Sequence, residues 1–229
     1  MTLASRAAGP ELMDADDLDP AVYAAVVADL ARVNRVTLAA RPTLTFLDRI
    51  AREAKSLRII DIGFGDGDML RRIERWAMKR RLPVELVGVD LNPRSEQAAR
   101  AHTPAGSTIR WVTGDYADQG DGWDAAISSL VAHHMTDGEL VAFLRWMQAN
   151  AHAWFVNDLM RHGFAHRGYP VLATLARWHP IVRHDGTLSI ARSLRPAEWL
   201  PLLAAAGVTD ARVFRAFPFR LCVERICAT

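Results

Sequence analysis

Residues 61–68 read Asp61-Ile62-Gly63-Phe64-Gly65-Asp66-Gly67-Asp68. They follow a short apolar run, Leu57-Arg58-Ile59-Ile60, and precede a helical pattern that starts near Met69. A buried strand therefore ends in a loop with glycine at every second position, and the loop feeds a helix N-terminus. Glycines so placed let the backbone take positive φ and come close to a ligand. A dinucleotide turn needs G-x-G-x-x-G to seat a pyrophosphate, and a Walker loop ends in Gly-Lys-Ser/Thr. Here the glycines fall at 63, 65 and 67, and position 68 is Asp. Asp61, Asp66 and Asp68 repel a pyrophosphate and suit a cationic ligand.

On either side of this loop the chain alternates. Leu57–Asp61, Glu85–Asp90, Thr108–Thr113, Trp123–Ser128 and His152–Asn157 read as strands. Between them lie helical patterns, one from Met69 to about Arg81, one from Arg94 to about His102, and one that starts at the capping box Thr136-x-x-Glu139. Strands alternating with helices predict a doubly wound α/β fold with a mostly parallel sheet. Ahead of the first strand, residues up to about Pro20 are acidic and aperiodic and read as a loose tail. Two helices split at Pro42 follow, to about Glu53. Residues 1–56 are thus a tail with cap helices, and 57–229 the main domain. From about 158 to 195 the rhythm breaks, with one short apolar helix near Val171–Trp178, and the segment reads as a lid insertion. A helix from Pro196 to Ala206 with Gly207 as C-cap, then a hairpin turning at Pro218, complete the chain.

Composition limits the function classes. Half of the 229 residues are hydrophobic and 24% are charged, with a formal net charge of +2. No global field points to nucleic acid, and the arginine run Arg71–Arg81 reads as a solvated helix face. No apolar run reaches membrane-spanning length. Cys222 and Cys227 lack metal-ligand spacing, which points to a reducing, cytoplasmic setting and no bound metal.

Three acids fall at strand ends, where open α/β sheets bind ligands. Asp61 sits with the glycine loop, Asp90 ends strand two in Val-Gly-Val-Asp90-Leu91-Asn92, and Gly114-Asp115-Tyr116 follows strand three. A carboxylate at Asp90 can take both hydroxyls of a ribose. On these residues the chain resembles the class I S-adenosylmethionine-dependent methyltransferases, closely over about 57–157. The resemblance implies a seven-stranded sheet whose last strand is antiparallel, and S-adenosylmethionine as cofactor. It further implies that Asp61, Gly63, Gly65 and Gly67 line the methionine part, that Asp90 binds the ribose and that Leu91 packs on the adenine. Asp115 and Tyr116 would sit at the adenine edge and Leu130 near the sulfur. The acidic loop fits, because this cofactor carries a sulfonium and an ammonium and no phosphate.

The segment after strand four, Ser128-Ser129-Leu130-Val131-Ala132-His133-His134, lacks the Asn/Asp-Pro-Pro-aromatic turn of amino-group base methylases. It is similar to small-molecule methyltransferases. Together with Val156-Asn157-Asp158-Leu159-x-Arg161 and His184-Asp185-Gly186-x-x-Ser189-x-x-Arg192, it resembles a bacterial group associated with polyketide and other phenolic pathways. That implies methyl transfer to an oxygen of a small aromatic or polyketide-like metabolite. A phenol has a pKa of about 10 and must lose its proton, so a histidine base is expected. His134 is the first candidate and His133 the second, with Asn157 and Arg161 as acceptor contacts. His162, His166 and His184 are further residues of the insertion that could touch substrate. An RNA or protein methyltransferase, or a cofactor-binding module without methyl transfer, are the alternative readings.

Overall fold

The computed structural model describes residues 3–15 and 17–227. Its centre is a seven-stranded sheet in the order β3-β2-β1-β4-β5-β7-β6. The strands are β1 (Leu57–Ile62), β2 (Val84–Asp90), β3 (Arg110–Thr113), β4 (Trp123–Ser129), β5 (Ala151–Leu159), β6 (Arg212–Ala216) and β7 (Arg220–Ile226). The first five run parallel. β7 inserts antiparallel between β5 and β6.

Both faces of the sheet are covered, which explains the near-continuous apolar strands. One face packs under α5 (Asp137–Asn150) and α8 (Pro196–Ala206), where Ile60, Ile62, Val89 and Trp154 meet Phe143, Leu144 and Trp199. The other face packs under α2 (Arg41–Ile50), α3 (Asp68–Arg80) and α4 (Pro93–His102), where Ile59, Ile127 and Phe155 meet Phe46, Leu70 and Ala99. Phe46 stacks on Phe155 with ring centroids 4.9 Å apart. The expected caps form. Thr136 and Glu139 close a reciprocal box at the start of α5, and Gly207 ends α8 at φ +77°.

Two expectations change. The segment after β5 is a pair of helices, α6 (Gly163–Leu175) and α7 (Pro180–Arg192), instead of a loop with one short helix. They build a third core with α1 (Pro20–Val36) from Val26, Val33, Ala173, Trp178 and Val182. His162 and His179 are their N-caps, accepting from Phe164 N–H and Ile181 N–H at 3.2 Å each. The capping role of His162 stands in place of the substrate contact considered for it. The described part of the N-terminal segment is also no loose tail. Asp185 accepts from the N–H groups of Leu12 and Met13 at 2.9 Å, and Arg6 binds the backbone of His133, Met135 and Arg192. Positions 185, 189 and 192 lie on one face of α7, and that face holds this segment.

Candidate active site

The strand order reverses between β1 and β4, so their carboxyl ends part and leave a crevice. Asp61, Gly63, Asp66, Ser129 and Leu130 line it, with Asn34 and Ala39 from the α1–α2 region on the far wall. All three loop glycines have positive φ, at +75°, +56° and +76°. An added Cβ on Gly63 would lie 2.4 Å from Val131 Cγ2, so the loop and the exit of β4 touch at backbone range. A Cβ on Gly65 meets nothing within 4 Å. Gly65 thus presents bare backbone to open space. Gly63→Ala combines a clash with a left-handed φ. It is expected to lower unfolding stability by about 1–3 kcal/mol, read by urea denaturation; an unchanged midpoint would contradict the close approach.

Asp61 carries the chemistry of the crevice. It is 1% exposed and its Oδ1 has no hydrogen-bond partner among the described residues. Burial, reinforced by Asp90 and Asp66, pushes its pKa up to about 8. An orphaned buried carboxyl of this kind fits a cationic ligand. Asp90 sits one strand over and fixes the loop. Its Oδ2 accepts from Gly65 N–H and its Oδ1 from Asn92 N–H, each at 2.9 Å. Each oxygen keeps a second lone pair for a ligand hydroxyl. Next in sequence, Leu91 is 72% exposed, an apolar surface just past the end of β2. Leu130 adopts φ +65°, rare for a branched side chain, while its N–H donates to Asn157 O at 2.9 Å.

The charge is less diffuse than the sequence suggests. Asp66 pairs with Arg71 at 3.2 Å and Asp68 with Arg72 at 2.6 Å. The cation-seeking acids are therefore Asp61 and Asp90. Asp115 is exposed beyond β3 and accepts from Ala117 N–H, which caps a single 3-10 turn, Tyr116–Asp118. Tyr116 is turned away to pack edge-on against Phe143 and Trp146 of α5, with centroids 5.3 Å apart in both pairs. Of the two expected adenine-edge residues, only Asp115 has its side chain exposed at that edge.

After β4 the chain makes another 3-10 turn, Ala132–His134. His133 is buried. Its N–H donates to Asp158 Oδ2 at 2.8 Å and its Nδ1 pairs with Asp158 Oδ1 at 2.7 Å. Burial opposes a charge on this ring, but Asp158 and Glu11 outweigh it and hold the pKa up at about 9. His134, about a third exposed, lies against it with ring centroids 4.3 Å apart and the planes tilted by 37°. Burial and the neighbouring imidazolium push His134 down to about 4. Glu11 Oε1 lies 3.8 Å from His133 Nε2 and 3.7 Å from His134 Nε2. Sequence reasoning missed Glu11 because it stands alone in an aperiodic acidic stretch. Glu11, His133 and His134 bring potential metal-ligand atoms within 4.8 Å of one another. However, Ser189 donates to Glu11 at 2.6 Å and the Arg192 guanidinium lies 3.7 Å away, so the carboxylate is already matched.

The two expected acceptor contacts need correction. Arg161 is 2% exposed and binds Ser193 O, Leu3 O and Glu198, which leaves it bracing α8 and the N-terminal segment. Asn157 donates both amide hydrogens, to Ala39 O and Thr43 Oγ1, and so ties α2 to β5. Both occupy the correct end of β5, but their polar groups point into the protein.

A family model described as a methyltransferase domain matches residues 59–151. No curated protein sequence matches the chain. Among solved structures it is similar to the plantazolicin methyltransferase BamL in complex with a triazolic desmethylPZN analog and SAH. The identity is 13%, the coverage 84% of this chain and 71% of that one, and the TM-score 0.63. It is also similar to magnesium protoporphyrin IX methyltransferase (ChlM) from Synechocystis PCC 6803 with bound SAH, at 15% identity, 93% and 89% coverage and TM-score 0.56. LepI in complex with SAM gives 19% identity and TM-score 0.52 over 77% of this chain, which spans only 44% of LepI. At such identities the likeness is one of fold. Residues 59–151 thus match a methyltransferase-domain model, and the seven-stranded sheet that carries them shares its fold with these solved structures.

Proposed function

We propose that the protein transfers a methyl group from S-adenosylmethionine to an oxygen of a small aromatic or polyketide-like metabolite. The observation that carries the cofactor reading is the buried Asp61 carboxyl with an orphaned oxygen beside a left-handed glycine loop. The bound cofactor supplies an electrophilic methyl carbon on a sulfonium. Asp61 would meet its positive charge, Asp90 would take the ribose hydroxyls, Leu91 would cover the adenine and Asp115 would stand at the adenine edge. Gly63, Gly65 and Gly67 would let the backbone close on the methionine part, with Leu130 toward the sulfur.

The histidine pair divides the proton work. His133, protonated at neutral pH, cannot accept a proton and instead anchors the turn on Asp158. His134 is neutral and offers a lone pair. It takes the acceptor's proton, and Glu11, with Oε1 3.7 Å from Nε2, offsets part of the cost of charging the ring. Holding acceptor oxygen, carbon and sulfur in line can supply roughly 7–11 kcal/mol. A small-molecule acceptor is supported by the arginine face of α3. Arg71, Arg72 and Arg80 are paired with Asp66, Asp68 and Asp48, so these three do not form an open anion-binding groove.

Incubation with methyl-labelled S-adenosylmethionine and a panel of phenols, carboxylic acids and amines tests this reading. Label is expected on a phenolic or carboxylic oxygen; transfer to amines alone refutes the oxygen assignment. Cofactor bound without turnover of any acceptor favours a binding module. His134→Ala is expected to reduce kcat by about 10²–10⁴-fold with unchanged cofactor affinity. Full activity in that variant removes His134 as the base.

A further inference from the structure

Arg220, the first residue of β7, is 1% exposed, yet its Nε and Nη1 have no hydrogen-bond partner among the described residues. Its Nη2 reaches Thr37 Oγ1 at 3.4 Å, the long end of the range. A guanidinium remains charged under almost any burial, and a buried charge without a partner is costly. Asp158 is near enough to favour that charge. Both of its oxygens are engaged elsewhere, with His133 and with Leu159 N–H. Two donors in the interior therefore lack an acceptor.

The position of this defect points to a ligand. Arg220 is in register with Leu159, the last residue of β5, at the carboxyl edge of the sheet. Its side chain lies on the Asn157 side, beneath the α1–α2 turn, since Asn157 reaches Ala39 and Thr43 while Arg220 reaches Thr37. Thr37 stands between Asn34 and Ala39, which line the crevice with Asp61 and Leu130. In the same turn, Leu38 adopts φ +51° with its side chain 42% exposed. This turn is the element between the orphaned donors and the crevice.

We propose that Arg220 anchors a carboxylate of the methyl acceptor, so that the substrate is an aromatic acid. The proposal rests on the methyl-transfer reading and deepens it. Asp158, which faces away from Asn157 along β5, carries the histidine pair on the other side of the strand. Arg220 and the histidine pair thus flank the end of β5 from its two sides. The carboxylate supplies the two missing hydrogen-bond acceptors and the missing negative charge.

The test uses the full chain loaded with S-adenosylhomocysteine, titrated calorimetrically with 4-hydroxybenzoate and, separately, with 4-hydroxybenzamide. The acid is expected to bind at least tenfold more tightly than the amide. Arg220→Met is expected to erase that preference, raise KM for the acid far more than it lowers kcat, and keep the melting temperature at or above wild type. Arg220→Lys, which keeps the charge with fewer donors, covers the case of a Met variant that fails to fold, and is expected to retain part of the preference. Equal affinity for acid and amide, or a preference that survives Arg220→Met, overturns the anchor. So does a Met variant that melts far lower with kcat and KM scaled together, since Arg220 is then structural. Binding of S-adenosylhomocysteine is read independently. Its failure ends the methyl-transfer reading, whereas cofactor binding with no acid preference ends the anchor alone.

Discussion

Asp90→Ala is expected to weaken S-adenosylmethionine binding by about 10²–10⁴-fold, measured by calorimetry or equilibrium dialysis. The magnitude follows from two hydrogen bonds to a charged acceptor at roughly 1.5–3 kcal/mol each. The carboxylate now holds Gly65 N–H and Asn92 N–H, and it would also take the ribose hydroxyls. Without it the glycine loop loses its tie to β2, and the ligand loses its sugar contact. Asp90→Asn keeps the acceptor oxygen but not the charge, and is expected to fall between the two. Wild-type affinity in Asp90→Ala would refute the ribose role.

Asp158→Asn is expected to cost on the order of 3–5 kcal/mol of stability at pH 7, because it strips the partner from a buried imidazolium. Chemical denaturation across pH provides the sharper readout. In the wild type His133 has its pKa raised to about 9, against about 6.5 for an unfolded chain. Its contribution is complete below pH 6.5 and is lost as pH rises through 9. In the Asn variant that slope between pH 6.5 and 9 flattens. Against the effect of burial, Asp158 is held low by His133 and two backbone N–H groups, and Glu11 by His133, His134 and Ser189. Their contributions are lost at the acid end, as pH falls through their lowered values. An Asp158→Asn protein with an unchanged slope would show that the pair does not hold His133 charged.

The glycine loop and the strand-end acids were legible because backbone requirements write themselves into the sequence. Positive φ at 63, 65 and 67 favours glycine, and a strand-end acid such as Asp90 is visible once the strands are found. The cluster of Glu11, His133, His134 and Asp158 was not legible, because its residues meet through packing. Glu11 reaches His133 only when Asp185 and Ser189 of α7 grip the N-terminal segment. Arg161 and Arg220 are equivalent as letters. One is held by Ser193 and Glu198, while the other keeps two donors open among the described residues, and only the packing around each separates them. The two helices after β5 escaped for a related reason. Pro170 lies inside α6 and histidines cap both helices, which resembles an irregular stretch until Tyr169 and Trp178 are seen packed together.

The central claim is that a carboxylate-edged crevice accepts a positively charged methyl donor, and Asp61 reports on it directly. With its pKa near 8, the Asp61 carboxyl is protonated at pH 7 before the ligand enters, and a cation beside it favours the carboxylate. Titration of S-adenosylmethionine at pH 7 in buffers of different ionisation enthalpy is predicted to show release of close to one proton per site, lost in Asp61→Asn. Binding of NAD in place of S-adenosylmethionine, or cofactor binding with no proton released, would contradict the account.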